Sequence, residues 1–282
     1  MRRAQITGWG GCAPPTVLAN ADLEQIMDTT DEWISSRSGI KERRISHTDN
    51  TELGRVAAER ALAAAGLRPG DIELIIYATL TPDMLVPSAS GVLQSKLGAD
   101  GCAAFDLNAA CSGFVYGVTA ASSLITTGAY DRVLVVGAER LSRWMDYSDR
   151  ATSVLFGDGA GAVVMEANDG DAGVLATTLG NNGSWGDSLT VPGSGSSVSF
   201  VDAQRDHSQN ALVMDGQDIF KKAVSHMAAA ATEVLEKAGM TVADVDLVVP
   251  HQANQRIMEA VARRLRLSET QLFSNIESYG NT

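Results

Sequence analysis

The chain repeats part of itself. Residues 61–76 read ALAAAGLRPGDIELII and residues 234–249 read VLEKAGMTVADVDLVV. Gly66, Asp71 and Leu74 of the first copy match Gly239, Asp244 and Leu247 of the second, each pair 173 residues apart. Such a repeat constrains a chain more than any single motif, because both copies must bury the same kind of face. Each copy ends an Ala-rich helix, turns on a Gly suited to a C-cap, crosses a short polar turn and enters a β-branched run. Apolar residues at helical spacing extend the two helices back over 52–65 and 216–238. Duplicated helix-then-strand units predict an α/β protein of two similar halves with largely buried sheets. The halves are expected at 1–166 and 167–282. Coincidence can also produce three shared anchors, so the repeat needs support from the rest of the chain.

Around the first copy, the pattern predicts strands at 74–79, 103–107 and 132–138 and a helix at 90–97. Between the last two strands, NAACSGFVYGVTAASSLITTG (108–128) reads as a sharp strand-to-helix turn. Its helix carries small and apolar residues all round, the pattern of a buried helix. Residues 180–209 are rich in Gly and Ser with little period and read as a long surface excursion.

Composition removes several function classes. No apolar run approaches the ~20 residues of a transmembrane helix. The opening MRRAQITGWGG has a basic pair with no apolar stretch behind it, so no secretory or twin-arginine signal is expected. Cys12, Cys102 and Cys111 are irregularly spaced, giving neither a disulfide framework nor a metal-ligand pair; no metal is expected, and a reducing cytoplasm fits. A formal net charge of −12 repels nucleic acid and anionic membrane. An acidic partner would need a local basic patch. Arg256, Arg263, Arg264 and Arg266 on one predicted helix, with Lys221 and Lys222 on another, are either that patch or two solvated faces.

Three residues have settings that suit chemistry. Cys111 sits where a strand turns into a helix, so the first N–H groups of that helix should favour its thiolate and lower its pKa. Taken alone, a cysteine in an Ala-rich stretch is ordinarily a small core residue. His251, in VVPHQANQRI, follows the second copy of the repeated strand, and the carboxyl ends of parallel strands are where α/β sheets place sites. A packed histidine is an equal reading. Asn281, in YGNT, lies within a few residues of the position that mirrors Cys111 at the repeat offset, although Gly-Asn alone signals only a turn. A duplicated fold would let the three converge.

Taken in order, DTTDEWISSRSGIKERR (28–44), DLNAACSGF (106–114), SDRATSVLFGDGAGAVV (148–164), PHQANQRI (250–257) and YGNT (279–282) resemble the ketoacyl synthase III enzymes of the thiolase superfamily. GDGAG has the wrong spacing for a dinucleotide fingerprint, and its glycines are expected to serve tight packing. The resemblance implies a duplicated α-β-α-β-α layered fold. It also implies a decarboxylative condensation of an acyl-CoA primer, carried on Cys111, with malonyl on acyl carrier protein. His251 and Asn281 would stabilise the enolate. Both acyl donors are substrates, so no cofactor is implied. Trp33 and Arg150 would hold the CoA adenine and Thr29 and Arg37 its nucleotide end. Gly216, Phe220 and Asn254 would line the pantetheine tunnel. Arg256, Arg263 and Lys221 would dock the carrier protein. Val86 would shape the acyl pocket across the interface of a homodimer. The second half reads as truncated, with roughly 40–60 residues expected beyond Thr282 by the repeat offset. A related condensing enzyme of secondary metabolism and a non-catalytic binding subunit of the same fold are the alternatives.

Overall fold

The segment LIIYA at 74–78 is buried at all five positions, which obliges the protein to cover both faces of that strand. A computed structural model, describing residues 2–282, shows how. Its strands are β1 (Arg3–Cys12), β2 (Thr16–Ala19), β3 (Glu42–Ile45), β4 (Leu74–Ala78), β5 (Ala103–Leu107), β6 (Arg132–Arg140), β7 (Asp158–Asn168), β8 (Leu189–Thr190) and β9 (Val213–Met214). Its first helices are α1 (Asn20–Leu23), α2 (Asp31–Ser38), α3 (Asn50–Ala65), α4 (Ala89–Leu97) and α5 (Gly113–Thr126). Later ones are α6 (Arg150–Ser153), α7 (Phe200–Arg205), α8 (Gly216–Ala238), α9 (Gln255–Leu265) and α10 (Ile276–Tyr279). Among the described residues no helix is long and apolar enough to cross a membrane.

The chain divides into two compact units, though not at the expected halves 1–166 and 167–282. The first unit takes residues 1–15, 46–140 and 158–177; the second takes 16–45, 141–157 and 178–282. Segments 16–45 and 141–157 join the second unit because their apolar side chains pack there: Leu23, Ile34, Ile40 and Val154 share a buried cluster with Met258 and Ile276.

In the first unit, a five-stranded sheet has the order β1-β7-β6-β4-β5, with β4 parallel to both β5 and β6 and the β7 pairings antiparallel. Alternation along each strand sorts the side chains by face. Ile75, Tyr77, Leu134 and Val136 pack with Ala57, Ala58 and Ala61 of α3. Leu74, Ile76, Val133 and Val135 pack with Ala121 and Ile125 of α5. The expectation of a fully buried α5 is corrected. One stripe (Gly113, Gly117, Ala121, Ser122, Ile125) is buried, whereas Phe114 and Val115 are exposed. The edge strand β5 likewise exposes Phe105.

Both repeat copies fold alike up to their strands. Gly66 and Gly239 take positive φ of 70° and 69°, and the next N–H in each case bonds back to the helix, Leu67 to Leu62 O and Met240 to Leu235 O. Asp71 and Asp244 then accept bonds of 2.8 Å from the backbone N–H of Arg68 and Thr241. Beyond this the copies part. The first becomes β4, whereas the second, in the other unit, makes a single parallel bridge, Val248 with Leu272, and no extended strand. Residues 180–209 hold short helical turns and β8, which pairs with β9, so that excursion is less irregular than its composition indicates.

Candidate active site

Cys111 lies in a 3-10 turn, Ala110–Ser112, between β5 and α5. The preceding residue, Ala110, holds φ at 48°, a conformation that side chains with a Cβ rarely adopt. The elbow rests on the sheet: a Cβ on Gly113 would lie 3.1 Å from Ala78 Cβ. Asp106 fixes the approach by accepting the N–H groups of Ala89 and Ser90 at 2.8 and 2.7 Å, which ties β5 to the start of α4. Of the three cysteines, Cys111 alone is exposed. The expected lowering of its pKa is not what the setting produces. Although the residue reaches solvent, protein surrounds much of the sulfur; burial and then the Glu139 carboxylate push the thiol up, with only its own backbone N–H pulling down. Desolvation by the surrounding protein, reinforced by the Glu139 charge, outweighs the pull of the local N–H.

In the second unit, His251 follows the Val248–Leu272 bridge and precedes α9. Burial pushes its imidazole below the ordinary value, so it is neutral near pH 7. Its Nε2 is buried and has no hydrogen-bond partner among the described residues. Asn281 is buried and clamped by its backbone. Its N–H donates to Leu155 O and its carbonyl accepts from Gly157 N, both at 2.9 Å. Gly157 is tight, since a Cβ there would lie 2.8 Å from Tyr279 O; at Gly161 the same addition meets nothing within 4 Å. The packing role expected of the GDGAG glycines thus holds at Gly157 and not at Gly161. Beneath this turn the fully buried Arg43 donates to Leu18 O, Asn20 Oδ1 and Val154 O at 2.9, 2.9 and 2.7 Å. Burial lowers its pKa to about 10. Sequence reasoning passed over Arg43; an arginine inside the otherwise ordinary run KERR carries no local mark of burial.

Three of the four residues named for a nucleotide meet at one indole. The guanidinium carbons of Arg37 and Arg150 lie 4.6 and 4.9 Å from the Trp33 ring centroid, and Arg150 also pairs with Asp28 at 3.7 Å. Stacked guanidinium and indole planes offer flat surfaces to a base. Thr29, four residues before Trp33, keeps a buried Oγ1 without a hydrogen-bond partner among the described residues. Asn254 caps α9 through Arg256 N at 2.9 Å and donates to Arg37 O at 3.0 Å. Gly216 begins α8, and Phe220 packs partly buried against Ile257 and Val261 of α9. Lys221, Arg256 and Arg263 are exposed on α8 and α9, with Arg263 loosely paired to Glu259 at 3.9 Å. In the first unit, Val86 is 84% exposed, flanked by the exposed Met84 and Leu85, so it lines no closed pocket of its own unit.

Comparisons with known proteins bear on all of this. The family model described as 3-Oxoacyl-[acyl-carrier-protein (ACP)] synthase III matches residues 105–183, and its C-terminal counterpart matches residues 235–282. Beta-ketoacyl-[acyl-carrier-protein] synthase III 2 of Vibrio vulnificus is 47% identical over 279 residues, covering 99% of this chain and 76% of that protein. Beta-ketoacyl-[acyl-carrier-protein] synthase III of Caldanaerobacter subterraneus is 45% identical over 281 residues, covering 99% of this chain and 85% of that one. The crystal structure of 3-oxoacyl-[acyl-carrier-protein] synthase III from Aquifex aeolicus matches with a TM-score of 0.92 at 44% identity, covering 99% and 86% of the two chains. A priming beta-ketosynthase from the R1128 polyketide biosynthetic pathway matches with a TM-score of 0.91 at 37% identity, covering 99% and 83%.

Proposed function

The chain belongs to the 3-oxoacyl-[acyl-carrier-protein] synthase III family, and on that premise we propose how its residues divide the initiating condensation. It is an acyltransferase with the thiolase-like α/β fold, and acyl-CoA and acyl carrier protein are its substrate partners. Cys111 attacks the thioester carbonyl of an acyl-CoA; a C–S bond forms to Cys111 and CoA leaves as a thiolate that takes up a proton. Malonyl on acyl carrier protein then loses CO₂. The electron pair of the broken C–C bond passes into an enolate, whose oxygen accepts hydrogen bonds from neutral His251 and the Asn281 amide. The enolate carbon bonds to the acyl carbon, and Cys111 leaves as thiolate. Nothing in this sequence calls on a metal or a further cofactor.

The observation that carries this reading is the exposed thiol at a left-handed elbow between β5 and α5. The unpartnered Nε2 of His251 supports its role as a donor to a ligand atom. Incubation with acyl-CoAs, followed by intact-mass analysis, should add one acyl group, lost in Cys111→Ser. His251→Ala and Asn281→Ala should still acylate but slow decarboxylation by ~10²–10³. Parent-rate decarboxylation in either variant would remove that residue from the scheme.

The finer assignments belong to the same reading. The Trp33 cluster receives the nucleotide end of CoA, with Gly216, Phe220 and Asn254 toward pantetheine. Arg256, Arg263 and Lys221 receive the acidic carrier protein, and the enzyme works in the cytoplasm. Phe105 on the open edge strand β5, with Phe114 and Val115 exposed at the start of α5, supports a homodimer joined there. In it Val86 reaches the partner's acyl pocket and, being small, leaves room for primers longer than acetyl.

A further inference from the structure

One ionisable group near Cys111 has no part in that scheme. Glu139 lies near the end of β6, partly buried. Its Oε1 accepts the Leu80 N–H at 2.7 Å; its Oε2 accepts the Thr81 hydroxyl at 2.5 Å and, at 3.5 Å, that of Thr79. Thr79 and Thr81 are themselves held. Thr81 N donates to Thr79 Oγ1, Arg140 N donates to Thr81 Oγ1, and Asn50 Nδ2 reaches both hydroxyls and Ala138 O. A carboxylate thus fastens the turn 79–81 to the strand two places away in sheet order from β5.

That turn supports the elbow. Thr79 N donates to Leu107 O at 3.1 Å, the last residue of β5 before the turn into Cys111. Gly113 sits against Ala78, the residue before Thr79, and a Cβ on Gly137, two residues before Glu139, would lie 3.8 Å from Phe114 Cβ. The strand ends of β4 and β6 therefore both meet the segment 107–114, and Glu139 joins them. We infer that Glu139 is a positioning residue for Cys111, holding the turn on which the elbow rests and opposing the thiolate with its own charge.

Other groups around this network add their signs. Tyr77 on β4 is deeply buried, and after that burial the charges of Asp83, Glu139 and Asp106 on β5 each push its hydroxyl pKa up. Arg140 follows on β6 and Asp158 faces Arg140 from β7; α3 reaches the threonines with uncharged Asn50. Burial pushes the Glu139 carboxyl up to about 7 against the pull of its Thr81 bond, so its charge changes near neutrality. The inference rests on reading Cys111 as the nucleophile.

Alkylation of Cys111 by iodoacetamide across pH, read by peptide mapping, tests it without any acyl substrate. Glu139→Gln keeps the shape and removes the charge, and should lower the pH midpoint of alkylation by about one unit. Glu139→Asp keeps the charge on a shorter arm; its midpoint should stay near the parent's while acylation by acyl-CoA slows. Thr81→Val removes a donor that favours ionised Glu139, and should shift the midpoint the same way as Gln but less. It decides alone if the Gln variant fails to fold. Unmoved midpoints in the folded Gln and Val variants would overturn the inference, since a merely structural residue alters rates without moving the titration. If acyl-CoA never labels the parent's Cys111 while the midpoints still shift, the proposed function fails and the electrostatic link stands.

Discussion

The two copies of the repeat begin identically and end differently, and the contrast separates what local sequence decides from what pairing decides. Their Gly caps and aspartate turns agree almost atom for atom. Yet Ile76 is fully buried and its counterpart at the same offset, Val249, is 66% exposed. A cap needs only its own few residues. A strand needs neighbours, and β4 has one on each side where Val248 has a single bridge.

The harshest way to test this contrast is a buried charge. Ile76→Asp should cost more than ~4 kcal/mol or prevent folding, whereas Val249→Asp should stay within ~0.5 kcal/mol in urea unfolding at equal protein concentration. Similar losses would mean that the second copy is as buried as the first. Truncation gives a milder version. Leu74→Ala should cost ~2–4 kcal/mol and Leu247→Ala, already half exposed, under ~1 kcal/mol.

Where the copies agree, paired substitutions should agree too. Gly66→Ala and Gly239→Ala each force a Cβ into positive φ with open space around it, and each should cost about 1 kcal/mol; thermal midpoints of the two variants should then nearly coincide. The smallest effect is in the turns. Side-chain bonds from Arg68 to Asp71 and from Thr241 to Asp244 hold both carboxyls below their ordinary value of 3.8. A depressed carboxyl stabilises the fold above that value and loses its contribution as pH falls through the folded one. Asp71→Asn and Asp244→Asn should therefore each flatten the acid limb of a stability-against-pH curve, to a similar small degree.

The same distinction explains what was legible in advance. The caps and the elbow at Cys111 follow from short-range chemistry, and the sequence pattern locates them; it also locates the strands 103–107 and 132–138, which find their partners in the first unit. Whether the second β-branched run becomes a strand depends on partners far along the chain, which periodicity does not report. The all-apolar pattern of α5 fits a helix buried on every side or one that packs a single stripe on the sheet, and the exposed Phe114 and Val115 decide for the latter. The raised thiol of Cys111 depends on the tertiary surroundings and on Glu139, nearly thirty residues away in sequence, while helix-terminus reasoning weighs only neighbours. The reassignment of 16–45 and 141–157 to the second unit had no local signature at all.

Arg43 gives those two segments a common fate. Its guanidinium Nη groups gather acceptors from residues 18, 20 and 154, and losing any one of them leaves a further buried N–H unpaired. Until the last acceptor arrives, the charge is better served by water than by the protein. Docking of 16–45 and of 141–157 should then be all-or-none, and slow hydrogen exchange should register it: their protected amides would open as one group, with a shared free energy, and Arg43→Met would let the two segments open separately.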